Sequence, residues 1–182
     1  MRNEHNGFTV VEMMMVLAIG SILAAFSIPL LKTSMDGSNA NSAAQLVAQQ
    51  LNLARAMAIG THSSVLVRFD STANSVVIAP GTSSVRGPFV LPGKMRFRTE
   101  APNHDTPDTL GGTVLGTGTR TQLTFLDSGA AATDASGTSL SSGTVFIENA
   151  VGDEATIRAV TLIGGTGRAR IWQYFPDTTS WK

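Results

Sequence analysis

Residues 13–31 read MMMVLAIGSILAAFSIPLL, nineteen positions without a charged side chain. As an α-helix rising about 1.5 Å per residue, the stretch spans roughly 28 Å, close to the hydrocarbon thickness of a bilayer. A short polar leader, Met1 to Gly7, precedes Phe8, with Arg2 near the start, and Lys32 follows the run directly. A cleaved secretory signal has a shorter apolar core with a small-x-small site behind it. Here the core is longer and helical patterning resumes beyond it, so the segment reads as a retained membrane anchor. Two residues in or beside it are unusual. Glu12 sits between the apolar residues Phe8–Val11 and Met13–Leu31, where an ionised carboxylate is costly and marks function. Pro29 removes one backbone donor near the far end, which predicts a kink or a loosened turn. The plain alternative has Glu12 reaching the interface and Pro29 incidental.

The rest of the chain dilutes this surplus. Over 182 residues, 42% are apolar and 14% charged, and thirteen basic side chains balance thirteen acidic ones. On average that excludes a strongly basic nucleic-acid binder and a self-repelling acidic tail. The absence of cysteine excludes a disulfide scaffold, a redox CxxC site and the usual zinc finger. The length suits one domain with an appendage.

Beyond the anchor, Thr33–Asn41 is polar and contains Gly37, a weak point or a restart with Ser38 as cap. A helical pattern resumes at Ser42. Ala43, Leu46, Val47, Ala54, Met57 and Ala58 share one face and Gln45, Gln49 and Asn52 the other, with Gly60 as the expected stop. From Thr61 the period becomes two. Val65, Val67 and Phe69 alternate with Leu66 and Arg68, and residues 70–74 turn into Val76–Ile78, a hairpin. Further strands are expected at Met95–Arg98, Gln122–Leu126, Thr144–Glu148, Thr156–Ile163 and Arg168–Trp172, with loops at Ala101–Gly118 and Ser128–Gly143.

Gly7-Phe8-Thr9-Val10-Val11-Glu12, followed by the apolar run and Pro29, resembles the prepilin signal of type IV pilins and type II secretion pseudopilins. The resemblance implies that a prepilin peptidase cuts between Gly7 and Phe8 and methylates the new Phe8 amino terminus. It also implies that Glu12 neutralises the Phe8 amine of a neighbouring subunit in the filament. A charge pair in low dielectric is costly to break by removing one partner, so it can set register during assembly. The head resembles the GspH/FimT pseudopilins more narrowly. The residues that carry this are Ala54, Arg55, Ala58 and Ile59, then Leu123-Thr124-Phe125 leading to Asp127-Ser128-Gly129, and Gly167-Arg168-Ala169-Arg170. The implied fold is α+β, a long N-terminal transmembrane and stalk helix packed on a β-rich head of two small antiparallel sheets. The implied organisation is a leader at 1–7, a helix at 8–60 (anchor 8–31, stalk 42–60) and a periplasmic head at 61–182.

Catalytic patterns are missing. His5 falls in the leader, His62 and His104 have no paired metal spacing, and no nucleophile elbow occurs. Gly87–Met95 lacks phosphate-loop spacing, and Gly164-Gly165-Thr166-Gly167 reads as a turn between strands. Asn103, Asp105 and Asp108 follow no EF-hand spacing. No enzyme, cofactor or metal site is expected.

One constellation is basic. In Lys94-Met95-Arg96-Phe97-Arg98 the cations fall on every second residue, so a strand projects all three from one face, and Arg168 and Arg170 repeat the pattern. The plain reading is the solvent face of a sheet. The sharper reading is a strip that tracks phosphates, with Trp172 and Tyr174 for stacking. FimT-like members of competence pili are associated with DNA through a Gly-Arg-x-Arg segment, which Gly167, Arg168 and Arg170 match.

The expected function is therefore structural: a minor pilin or pseudopilin of a type II secretion pseudopilus or type IV pilus, assembling near its tip. The alternative is a minor pilin of a competence pilus that binds DNA through Arg168, Arg170, Lys94, Arg96 and Arg98. Expected partners are other pilins, the prepilin peptidase and the inner membrane, with DNA added under the alternative.

Overall fold

The computed structural model describes residues 8–81, 84–100, 102, 108, 114–116, 121–132, 139–140 and 142–182, without the side chains of residues 29 and 30. The leader, including Gly7, and most of residues 101–120 and 133–141 lie outside this description. The chain divides into two compact units, Met1–Met35 and Asp36–Lys182.

One α-helix, α1, covers Val10–Thr61. In the first unit the described apolar side chains are exposed, from Phe8, just before α1, at 83% through Leu17 at 68% to Leu31 at 64%. Among the described residues of that unit nothing packs against them, and α1 is long and apolar enough to cross a membrane. Such a continuous apolar surface belongs in lipid or against other chains.

In the second unit Ala40, Ala43, Ala44, Val47, Leu51, Ala54 and Ala58 recur every three or four residues and are fully buried. The small alanines bring the helix axis close to the strands, while Val47 and Leu51 fill the space between them. Among the described residues ten strands follow: β1 Val65–Asp70, β2 Ser75–Pro80, β3 Arg86–Val90, β4 Met95–Arg98, β5 Gln122–Phe125, β6 Ala131–Ala132, β7 Gly143–Asn149, β8 Arg158–Ile163, β9 Arg168–Phe175 and β10 Ser180–Trp181. They form two five-stranded sheets, ordered β3-β2-β1-β5-β6 and β10-β9-β8-β7-β4. Every pairing between these strands is antiparallel. The inward residues Val65, Val67, Phe69, Ile78, Leu123, Phe125, Val145, Ile147, Val160 and Leu162 join the helical alanines in one core. Phe69 and Phe97, one from each sheet, meet edge to face at 5.8 Å. The α+β fold with two small antiparallel sheets is as the sequence implies.

Several boundaries differ from expectation. Residues 33–41 are helical, so Gly37 interrupts nothing, and α1 runs on through Pro29. Gly60 does not end α1. The helix runs one residue further, to Thr61, and closes with His62 in the left-handed region at φ 48°. There the amides of His62 and Ser63 donate to the carbonyls of Ile59 and Ala58 at 3.4 and 3.3 Å, a Schellman closure without glycine. Residues 86–90, which include Gly87 and Pro88, form edge strand β3, where a missing amide donor is tolerated. The stretch expected to be loop from Ser128 contains β6. Thr156 ends a 3-10 turn, Glu154–Thr156, in place of starting a strand. β9 continues to Phe175, and Trp181 of β10 packs at 5.1 Å from Tyr174.

Candidate functional site

The N-terminal motif is built around Thr9 and Glu12. Thr9 stands directly before α1 and Glu12 is its third residue. The Thr9 amide and hydroxyl each donate to Glu12 Oε2 at 2.9 Å, and the Glu12 amide donates to Thr9 Oγ1 at 3.2 Å. This is a capping box, which satisfies orphan donors at a helix start. In lipid such donors have no water to fall back on. The Thr-x-x-Glu spacing was readable in the sequence, but its capping role went unassigned. Phe8, just outside the helix, is exposed, and Gly7 lies outside the described residues.

The basic constellation separates into pieces. Arg96 and Arg98 do share a face of β4, since both reach across to Glu148 of β7. Arg96 Nη2 lies 2.7 Å from Glu148 Oε1, and Arg98 Nη1 lies 2.7 Å from Oε2. The glutamate side chain is only 8% exposed, so its two oxygens are shielded by the two guanidinium groups. Arg98 Nε also donates to the Glu100 carbonyl at 2.8 Å. These two arginines are committed to the fold. Lys94 is not in the strand at all. It occupies the turn before β4, where its carbonyl accepts from the Ala150 amide at 2.9 Å, and its side chain is exposed.

Arg168 and Arg170 project from β9 on the face that also carries Trp172, opposite Ile163, Thr161 and Ala159 of β8. Arg170 Nη1 pairs with Asp108 Oδ1 at 3.2 Å. The second Asp108 oxygen accepts from Thr161 Oγ1 at 2.8 Å, and Thr161 in turn accepts from the Trp172 indole at 3.0 Å. Asp108 therefore serves this network, while Asn103 and Asp105 lie outside the described residues. Arg168 is exposed, and among the described residues no hydrogen bond or ion pair engages its side chain.

Sequence reading missed what gathers the three short head motifs. Arg55 of α1 donates from Nε to the Gly129 carbonyl at 3.2 Å. Gly129, at φ 81°, turns between β5 and β6, and an added Cβ would lie 2.8 Å from Ile59 Cδ1. Gly167, at φ 62°, turns between β8 and β9, and an added Cβ would lie 3.1 Å from the Arg55 side chain. The Ala131 amide donates to the Gly164 carbonyl at 2.7 Å and ties the two turns together. Arg55, Gly129 and Gly167 thus form one joint between the helix and both sheets.

Residues 2–28 match the family model described as the prokaryotic N-terminal methylation motif. No curated protein matches the chain. Among solved structures, the minor pseudopilin EpsH from the Type 2 Secretion System of Vibrio cholerae is 16% identical, covering 74% of this chain and 97% of its own, at a TM-score of 0.46. The type IV minor pilin FimU of Pseudomonas aeruginosa is similar in two crystal forms. One is 15% identical, covering 78% of this chain and 96% of its own, at a TM-score of 0.47. The other is 16% identical, covering 80% and 93%, also at 0.47. The chain thus carries an N-terminal methylation motif at the start of a long apolar helix, followed in the sequence by an antiparallel α+β head.

Proposed function

We propose that this chain is a minor pilin or pseudopilin of the GspH/FimT kind, a structural subunit of a type II secretion pseudopilus or type IV pilus, at or near its tip. A prepilin peptidase cuts between Gly7 and Phe8 and methylates Phe8. The anchor then holds the subunit in the inner membrane with its head in the periplasm until assembly. The observation that carries this reading is the methylation motif joined to a helix whose first turn holds Glu12 and whose described apolar side chains between Val10 and Leu31 are exposed. Filament neighbours replace lipid on that surface, and Glu12 meets the Phe8 amine of the adjoining subunit. Glu12→Ala should leave processing and membrane insertion intact while removing the subunit from sheared filaments. Incorporation of Glu12→Ala at the wild-type level would refute the assembly role. Protein in the membrane fraction that keeps residues 1–7, read by mass at its amino terminus, would refute the cleavage.

A second reading, DNA capture, draws support from Arg168, whose exposed guanidinium lacks an ion pair among the described residues. The commitments of Arg96 and Arg98 to Glu148 and of Arg170 to Asp108 narrow the strip available to phosphates. Titration of the protein with a short oligonucleotide at two salt concentrations tests it. Salt-sensitive binding lost in Arg168→Gln supports the reading, and binding that ignores both salt and the substitution sinks it.

A further inference from the structure

Residues 33–42, TSMDGSNANS, form the weakest helix former within α1. Apart from Met35 and Ala40, each residue there either competes with the helical backbone for hydrogen bonds or lacks a Cβ. Ser42 Oγ donates to the Ser38 carbonyl at 2.9 Å, a back-bond that loosens a helix. No close packing requires Gly37, because an added Cβ meets nothing within 4 Å. Burial along the second unit's share of α1 begins only at Ala40.

At this end of the head, one buried charge reaches the helix. Arg158 of β8 is 3% exposed. Its Nε donates to Asn41 Oδ1 at 2.7 Å, and its Nη1 donates to the carbonyls of Ala155 and Ile157 at 3.0 and 2.9 Å. No carboxylate forms an ion pair with it among the described residues. Burial holds its pKa below the usual arginine value. The guanidinium therefore relies on neutral acceptors, and the one supplied by α1 is Asn41. Unwinding residues 36–39 gives up the helical bonds that their carbonyls accept and loosens Asn39 where it lies beside Gly93, but it strips no acceptor from a buried charge. Unwinding through Asn41 strips an acceptor from a buried cation, which is far costlier.

We infer that the Arg158–Asn41 hydrogen bond is a stop for fraying of α1: helical order up to about residue 39 is readily and reversibly lost, and the bond keeps the loss from passing Asn41 into the alanine-lined helix beyond. The inference rests on the head's own geometry and holds whether or not the chain assembles into a filament.

Hydrogen exchange on the full chain in detergent micelles tests it. Wild-type amides of residues 36–41 should exchange at least about a hundredfold faster than those of residues 47–58, the signature of a low-stability segment beside a core one. Asn41→Ala and Arg158→Gln should each speed exchange at residues 42–46 by about tenfold, the loss expected for a hydrogen bond to a charged group. Amides of β7 should stay unchanged in Asn41→Ala. Equal protection of residues 36–41 and 47–58 in the wild type would overturn the inference. So would unchanged exchange at residues 42–46 in Asn41→Ala, and that substitution at an exposed position decides the matter if Arg158→Gln fails to fold.

Discussion

Gly167 and Gly129 approach so closely that a β-carbon on Gly167 would overlap the carbonyl oxygen of Gly129. That same oxygen accepts the hydrogen bond from Arg55 Nε, so one carbonyl is gripped by the helix and overlain by the turn of the second sheet. The two glycines hold positive φ angles of 62° and 81°, which a side chain disfavours even in open space.

Gly167→Ala therefore meets both a conformational penalty and a collision with backbone that cannot swing aside. We expect a loss of about 2 kcal/mol or more in stability, read as a lowered urea midpoint of the chain in micelles. An unchanged midpoint would show that the two turns can separate without cost.

Glu148→Gln removes the charge shared by Arg96 and Arg98. The amide can accept from one arginine but presents a donor to the other, leaving two cations two residues apart on one strand without an anion between them. Because Arg96 is 46% exposed and Arg98 24%, water recovers part of the loss. The expected cost is about 2 kcal/mol, below that of breaking a fully buried pair. Thermal unfolding of Glu148→Gln beside Glu148→Gln/Arg96→Gln checks this, since the double variant should recover some of the deficit.

Two substitutions at the end of α1 should stabilise. Gly60 lies inside the helix with open space where its Cβ would be, so Gly60→Ala should add about 0.8 kcal/mol. His62 occupies the left-handed closing position, so His62→Gly should add about 1 kcal/mol. Interchanging the two expectations, with Gly60→Ala destabilising, would mean the helix ends where the sequence alone suggested.

Leu51→Ala should cost about 3 kcal/mol, because Leu51 is fully buried in the core and its truncation leaves a cavity that a packed interior closes only in part. A midpoint shift under a third of that size would indicate that the sheets close onto the helix.

Thr9→Ala removes the hydroxyl of the capping box while leaving Glu12 in place. We expect faster exchange at the amides of Val11 and Glu12, with residues 15–28 unaffected. Unaltered exchange would assign the helix start to other contacts.

What could be read from the sequence was local. The uncharged run of residues 13–31, the three- and four-residue recurrence of Ala43, Val47, Ala54 and Ala58, and the alternation of Val65, Val67 and Phe69 are one-dimensional signals of burial. Each survives in the structure because the surroundings that reward it, lipid or one shared core, need only the right period. Edge strand β3 was unreadable because Gly87 and Pro88 argue for a turn, and only its place at the margin of a sheet makes them acceptable.

The sequence by itself determined the membrane-length helix, the two-residue period of the head and the methylation motif with Glu12 in its place. Only the tertiary structure decided the state of the charges. Arg96 and Arg98 find their counter-ion about fifty residues away on β7, Arg170 finds Asp108 across a long connection, and Arg158 finds Asn41 on the helix. Hydropathy and period are properties of neighbours along the chain, whereas the partner of a charge depends on which strands the fold brings side by side.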